Sequence, residues 1–161
     1  MLTTLKREDA VEIRTKPLMT LRLRVGPPQI VGKTPIGDRR IVPVLDGSFQ
    51  GEHLCGKVEP GGSDWILARP DGALQLDVRL TLRTDDDQLI GMTYRGIRHG
   101  PADVIEHVNR GEPVDPASYY FRSVPFFETA SEKYGWLTRI VAVAIGERVA
   151  EGPIYHIFEV L

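Results

Sequence analysis

The sequence predicts an all-β fold, an antiparallel barrel with one short inserted helix, and three observations carry that expectation. Leu74, Leu76, Val78, Leu80 and Leu82 alternate with Gln75, Asp77, Arg79, Thr81 and Arg83, a period of two that describes a half-buried strand and no helical face. Comparable runs recur at Leu18 to Val25, Arg39 to Val44, Gly51 to Val58, Asp64 to Arg69, Gln88 to Arg98, Tyr119 to Glu128, Leu137 to Ile145 and Ile154 to Val160. Turn chemistry separates them: Gly37-Asp38, Asp46-Gly47, Pro60-Gly61-Gly62, Pro70-Asp71-Gly72, Asp85-Asp86-Asp87 and Glu151-Gly152-Pro153. Glycine permits positive φ, aspartate tolerates it, and proline presets the first turn position. Short strands at this spacing indicate a sandwich or a barrel.

One hairpin can be registered from the pattern alone. A three-residue loop of Asp85, Asp86 and Asp87, with Asp87 left-handed, sets Thr84 opposite Gln88. Leu82 then faces Ile90, Leu80 faces Met92 and Val78 faces Tyr94, so both strands present one apolar face. Asp77 falls opposite Arg95 on the polar side. A two-residue loop would oppose Arg83 to Ile90 and mix the faces. The one convincing helix starts at Pro101-Ala102-Asp103, carries Val104, Ile105 and Val108 as its apolar stripe, and stops at Gly111. Residues 1–16 are an N-terminal extension and residues 17–161 a single barrel domain, with no repeat or linker to divide them.

Composition narrows the function classes. A formal net charge of −2 with dispersed Lys and Arg argues against a nucleic-acid surface and against an anionic membrane face. Cys55 is the single cysteine, so no disulfide framework is expected. No leader-like apolar core opens the chain, and no apolar run approaches the roughly 20 residues of a membrane helix. A reducing cytoplasmic setting follows as the expectation.

Several motifs fail on inspection. Gly26 to Thr34 ends in Gly32-Lys33-Thr34, as phosphate-binding loops do, but the first glycine would have to stand at Pro27. Pro27 and Pro28 remove amide donors and Pro35 opposes the following helix, leaving a loop between strands. His53 and Cys55 lack the second ligand pair of a tetrahedral site, so no metal is expected, and Cys55 is best placed as a small buried apolar residue. The Asp85–Asp87 run lacks calcium-loop spacing and reads as a solvated hairpin turn. No serine occupies a nucleophile-elbow context.

What remains is a set of polar residues set into apolar or aromatic strands. Asp64 adjoins Trp65; Tyr94 and Arg98 share a face across Gly96; Tyr120, Arg122 and Glu128 share another. In a barrel such residues can converge at the mouth, where aromatics hold an apolar ligand and a few polar groups orient it. Asp64, Arg98, Arg122 and Glu128 are the candidate catalytic residues, because a carboxyl whose pKa is tuned by burial or by arginine suits general acid–base work. Trp65, Tyr94, Met92, Tyr120 and Trp136 are the candidate ligand contacts. The competing reading makes Asp77–Arg95 and Arg122–Glu128 ordinary structural pairs and Trp136 a core anchor.

An ordered set of segments adds a resemblance. Gly51 to Gly56, Pro60-Gly61-Gly62-Ser63-Asp64-Trp65, Arg69-Pro70-Asp71-Gly72 with Leu76-Asp77-Val78-Arg79, Arg83 to Asp87, Tyr94 to Gly100, Tyr119 to Arg122 with Pro125 to Thr129, and Tyr134 to Leu137 resemble an uncharacterised family of bacteria and fungi. That family is uncharacterised protein family 0311, or domain-of-unknown-function family 3237. The resemblance runs from about residue 16 to the C-terminus. It implies a barrel similar to the allene oxide cyclase and dirigent barrels, which enclose apolar ligands, often form oligomers and steer cyclisation without a bound cofactor. Asp87 departs from the glycine more usual at that hairpin. The resemblance carries no agreed catalytic set and implies chemistry by fold analogy only.

Three functions are therefore weighed: a cofactor-free isomerase or cyclase of a small apolar or aromatic metabolite, a non-catalytic carrier barrel of the lipocalin kind, and a structural module with a filled lumen. A dimer or trimer is expected from the two-faced apolar run Leu137 to Ile145, with Leu137, Val141, Val143 and Ile145 on one side.

Overall fold

The computed structural model describes residues 11–161, and in it the strands close into one antiparallel barrel with a single α-helix. Residues 1–10 of the expected extension lie outside the described residues, and the first strand begins at Thr15. The elements are β1 (Thr15–Val25), β2 (Gln29–Thr34), β3 (Gly37–Gly51), β4 (Cys55–Val58), β5 (Ser63–Ala68), β6 (Leu74–Thr84), β7 (Leu89–His99), α1 (Ala102–Asn109), β8 (Tyr120–Glu128), β9 (Ala142–Val149) and β10 (Gly152–Val160). Around the wall they run β1-β10-β9-β8-β7-β6, then β4 and β5 share one position between β6 and β3, and β3 pairs back onto β1. That makes a ring of eight strand positions, a size whose interior is either filled by side chains or holds one small ligand.

The central hairpin has the predicted register. Leu82 pairs Ile90, Leu80 pairs Met92, Val78 pairs Tyr94 and Asp77 pairs Arg95; Asp87 is left-handed at φ 64°, and Thr84 N–H donates to the Gln88 carbonyl at 2.9 Å. Asp77 and Arg95 form the anticipated ion pair, at 3.8 Å. The acidic turn, by contrast, is more than solvated. Asp86 accepts from Lys133 Nζ (2.6 Å), Thr84 Oγ1 (2.7 Å) and Tyr134 Oη (2.8 Å), and these donors, Lys133 foremost, hold its carboxyl below the usual carboxylate range. The turn thereby fastens the 129–140 segment across one end of the barrel.

Other expectations need correction. Gln29–Thr34, read as a loop, is strand β2, which folds back on β3 outside the ring. Asp46-Gly47 is not a turn but the interior of the long strand β3. A Cβ on Gly47 would collide with the Arg22 carbonyl oxygen and one on Gly51 with that of Leu18; both glycines serve close approach of β3 to β1, with a register shift opposite Arg24 and Val25 that bends the strand. Leu137 lies in a 3-10 turn, Gly135–Arg139, so it is buried and does not share the face of Val141, Val143 and Ile145. Cys55 is half-buried, and its thiol donates to Asp85 Oδ2 at 2.9 Å.

The two ends of the barrel differ. Leu21, Phe49, Leu82, Ile90, Met92, Phe127, Tyr134 and Leu137 interlock at one end, where the 3-10 turn acts as a plug. At the other end meet the N-terminal parts of β6 and β8 and the C-terminal parts of β7 and β9. There α1 lays Val104, Ile105 and Val108 against the core without filling it.

Candidate functional site

At the α1 end a cavity of about 570 Å³ opens inside the ring, walled by residues of β1, β3, β5, β6, β7, β8, β9 and β10 and by the C-terminal half of α1. Strand alternation selects what faces it. Tyr94 and Arg98 follow Ile90 and Met92 on the inner face of β7. Asp64 of β5 is opposite the inward Val78 of β6 and so points the same way. On β9 the inward series is Ala142, Ala144, Gly146 and then Arg148. The small residues leave room for Phe121, whose ring a Cβ on Gly146 would meet at 2.7 Å. β10 contributes Tyr155, which packs edge-on against Tyr94 (4.9 Å between centroids) and Phe121 (5.4 Å).

The electrostatics of this cluster are unusual. Burial pushes the Asp64 carboxyl up to about 7, and the Asp77 backbone N–H (3.2 Å) and the Arg98 charge pull it back only in part. Burial drives the Tyr94 and Tyr155 phenols well above their ordinary range, so both remain neutral donors. Arg98 is only 9 % exposed; burial, then the neighbouring Arg148, lowers its pKa. One guanidinium nitrogen donates to Asn109 Oδ1 at 3.3 Å, while Nε is buried without a partner. Its charge also lies 5.7 Å from the centre of the Phe121 ring. Such an arrangement can move a proton at Asp64, donate hydrogen bonds from two phenols and stabilise negative charge at Arg98.

The nine candidate residues thus fall into separate places. Asp64, Tyr94 and Arg98 line the cavity together. Trp65 points outward because it follows Asp64 along a strand, and Tyr120 and Arg122 point outward because Phe121 and Ser123 take the inner positions of β8. These three meet instead at a groove of about 540 Å³ on the outer wall, beside Ile97 and Gly96. There Arg122 stacks on Tyr120 (5.0 Å) and donates to the Phe121 carbonyl, so the alternative Arg122–Glu128 pair does not form. Glu128 is exposed on the outer face of β8 opposite Gly91 and lines neither the cavity nor the groove. Met92 lies in the packed end and Trp136 leans on that end from the 3-10 turn. The pattern reading missed Tyr155, Arg148, Phe121 and Asn109. Alternation through Pro153, Tyr155 and Ile157, and through Ala142 to Arg148, carried the signal for the first two.

The fold and this cavity define a closed antiparallel barrel with a buried acid–arginine–phenol cluster at one end. Residues 13–160 match the family model described as a protein of unknown function, DUF3237. The chain belongs to that family, whose curated members carry the name UPF0311: it is 38% identical over 147 residues to a UPF0311 protein of Bradyrhizobium diazoefficiens, covering 91% of this chain and 96% of that one. It is 36% identical over 150 residues to one of Clostridium acetobutylicum, covering 92% and 95%. Among solved structures, a conserved protein of unknown function from Rhodopseudomonas palustris superimposes with a TM-score of 0.91 at 35% identity, covering 94% of this chain and 100% of that one. A beta-barrel like protein from Acinetobacter baumannii gives 0.82 at 34%, covering 96% and 100%. A chain described as an enzyme from Penicillium herquei gives 0.72 at 19% identity, covering 94% and 97%, a likeness of fold. Among the described residues no helix is long and apolar enough to cross a membrane.

Proposed function

We propose that the barrel is a cofactor-free isomerase or cyclase of a small apolar or aromatic metabolite, with Asp64 as the proton-transfer group. The observation that carries this reading is the Asp64 carboxyl, held near pH 7 in a cavity it shares with Arg98, Tyr94 and Tyr155. A group that ionises near the working pH is both a competent base and a competent acid. Asp64 takes a proton from a carbon beside a carbonyl, Arg98 and a phenol hold the oxyanion that forms, and the new carboxylic acid returns the proton at a second position. The sequence is redox-neutral and requires no co-reactant. A cavity of about 570 Å³ favours a ligand over a filled structural barrel.

Carriage and catalysis separate in heavy water. Ligand that co-purifies with the protein, identified by native mass spectrometry, is incubated with the protein in D2O. Deuterium gained at carbon supports proton transfer; ligand retained at high occupancy with no mass gain makes the barrel a carrier.

The reading extends to a cytoplasmic homo-oligomer. The outer wall of β8 and β9 exposes Tyr120, Val124, Phe126, Val143 and Ile145, Phe126 at 55 %, whereas the outer wall of β6 carries Gln75, Asp77, Arg79, Thr81 and Arg83. One-sided apolar walls of this kind mark contact surfaces. Light scattering at high micromolar concentration is expected to give a dimer or trimer; a monomer there removes the proposal.

A further inference from the structure

We infer that the cavity is built for a ligand carrying one delocalised oxyanion, such as an acidic phenol or the enol of a 1,3-dicarbonyl, whose oxygen sits on Arg98 Nε with Arg148 as the second cation. The inference rests on reading the cavity as a ligand site, and three observations support it.

The first is a tally of charges. Four arginines reach the cavity, against one carboxylate, Asp64. The two at the rim are already neutralised: Arg40 by Asp38 (3.2 Å), and Arg110 by Glu106 (3.0 Å) and Glu112 (2.6 Å). Among the described residues Arg98 and Arg148 form no ion pair; their polar contacts are the Asn109 side-chain oxygen and the Val149 carbonyl respectively. The charge of Arg148 lies close enough to lower the affinity of Arg98 for its proton. A cavity with two unpaired guanidinium groups and one carboxyl is positively charged whether that carboxyl is protonated, as below neutrality, or ionised, as at pH 8, and desolvated charge of that kind is costly unless a counter-charge arrives.

The second is directional. Arg98 is nine-tenths buried, yet its Nε–H meets no acceptor. An orphaned buried donor is unusual, and on a residue that lines a cavity it marks where an acceptor belongs. The third is the surrounding surface. The rings of Phe121, Tyr155 and Tyr94, with Val78 and Leu76, form much of the wall around the guanidinium groups, which suits a flat unsaturated body attached to the charged oxygen.

The test uses 4-nitrophenol, whose ionised form absorbs in the visible, and 4-nitroanisole, which has the same ring without the ionisable oxygen. Binding of each to the intact protein is measured by titration at pH 8. The phenolate is expected to bind about ten- to a hundredfold tighter than the anisole, the range of a hydrogen bond to a charged group, and the bound phenol to ionise at lower pH than the free one. Arg98→Met is expected to reduce the preference to within about twofold while anisole affinity stays put. Arg148→Met reduces it in part. If Arg98→Met does not fold, the wild-type preference and the shift in the bound phenol's ionisation decide the matter alone. Equal affinity for the two probes overturns the inference and leaves a cavity for neutral ligands. Binding of neither probe at millimolar concentration overturns it together with the ligand-site reading. A phenolate preference without deuterium exchange keeps the anion subsite on a barrel that carries rather than converts.

Discussion

Asp64→Asn is expected to slow deuterium exchange of the bound ligand about a hundred- to ten-thousandfold, the usual contribution of a positioned acid–base group, while ligand affinity changes little. Asparagine keeps the size and the hydrogen-bond acceptor that meets the Asp77 backbone N–H, but it cannot exchange a proton. In the wild type the exchange rate should rise with pH as the carboxylate forms and level off above about 7; in the variant that inflection disappears. Five charged or ionisable neighbours shape the titration: Tyr94 and Arg98 from β7, Tyr155 from β10, Asp77 from β6 and Arg39 from β3. An unchanged rate in Asp64→Asn would remove Asp64 from the chemistry.

The same substitution should raise stability, and the sign follows from linkage. The native carboxyl holds its proton to about pH 7, whereas the unfolded one releases it near 3.8. Between those values the native state binds more protons, so stability falls as pH rises and the loss is complete above about 7. The asparagine variant, with no carboxyl to titrate, escapes this loss. Denaturant midpoints of the two proteins should coincide below pH 4 and diverge in favour of the variant above pH 7, the stability–function opposition expected of a working site. Identical midpoints at pH 8 would mean that Asp64 is not desolvated.

Tyr155→Ala is expected to cost about 3–5 kcal/mol of unfolding free energy, as for other large aromatic truncations in a core. Tyr155 is 2 % exposed and is the ring on which both Tyr94 and Phe121 lean, so its removal opens the cavity into the packed half. With typical domain stabilities of about 5–15 kcal/mol, this is a large fraction of the total. Tyr155→Phe retains the packing and is expected to lose about 1 kcal/mol, one net hydrogen bond, the one between the Tyr155 and Tyr94 hydroxyls. Urea unfolding followed by tryptophan fluorescence reads both. A loss below about 1 kcal/mol for the alanine variant would show that the ring is not a packing element.

Much of the wall could be foreseen, because strand alternation is a local property. The β6–β7 hairpin came out in register down to the Asp77–Arg95 pair, since one face had to be apolar on both strands. The extent of β3 could not be foreseen: Gly47 looks like a turn residue, and only the β1 backbone, standing where its Cβ would be, reveals why a strand needs glycine there. The site was half legible for a related reason. Alternation groups residues into two faces but does not say which face is inside, and β8 carries aromatics on both: Tyr120 and Phe126 without, Phe121 and Phe127 within. Arg122 and Glu128 do share a face of that strand, but it is the outer one. Trp65 could have been set apart from Asp64 by adjacency alone. Arg148 was legible in principle, as the next inward position after Ala142, Ala144 and Gly146, but it lies beyond the apolar run that drew attention to β9.

The solid packing around Met92, Phe127 and Leu137 backs the chamber on the side away from α1. For a ligand that enters past α1, reactant and product would then share one route, and product is expected to behave as a plain competitor for free protein.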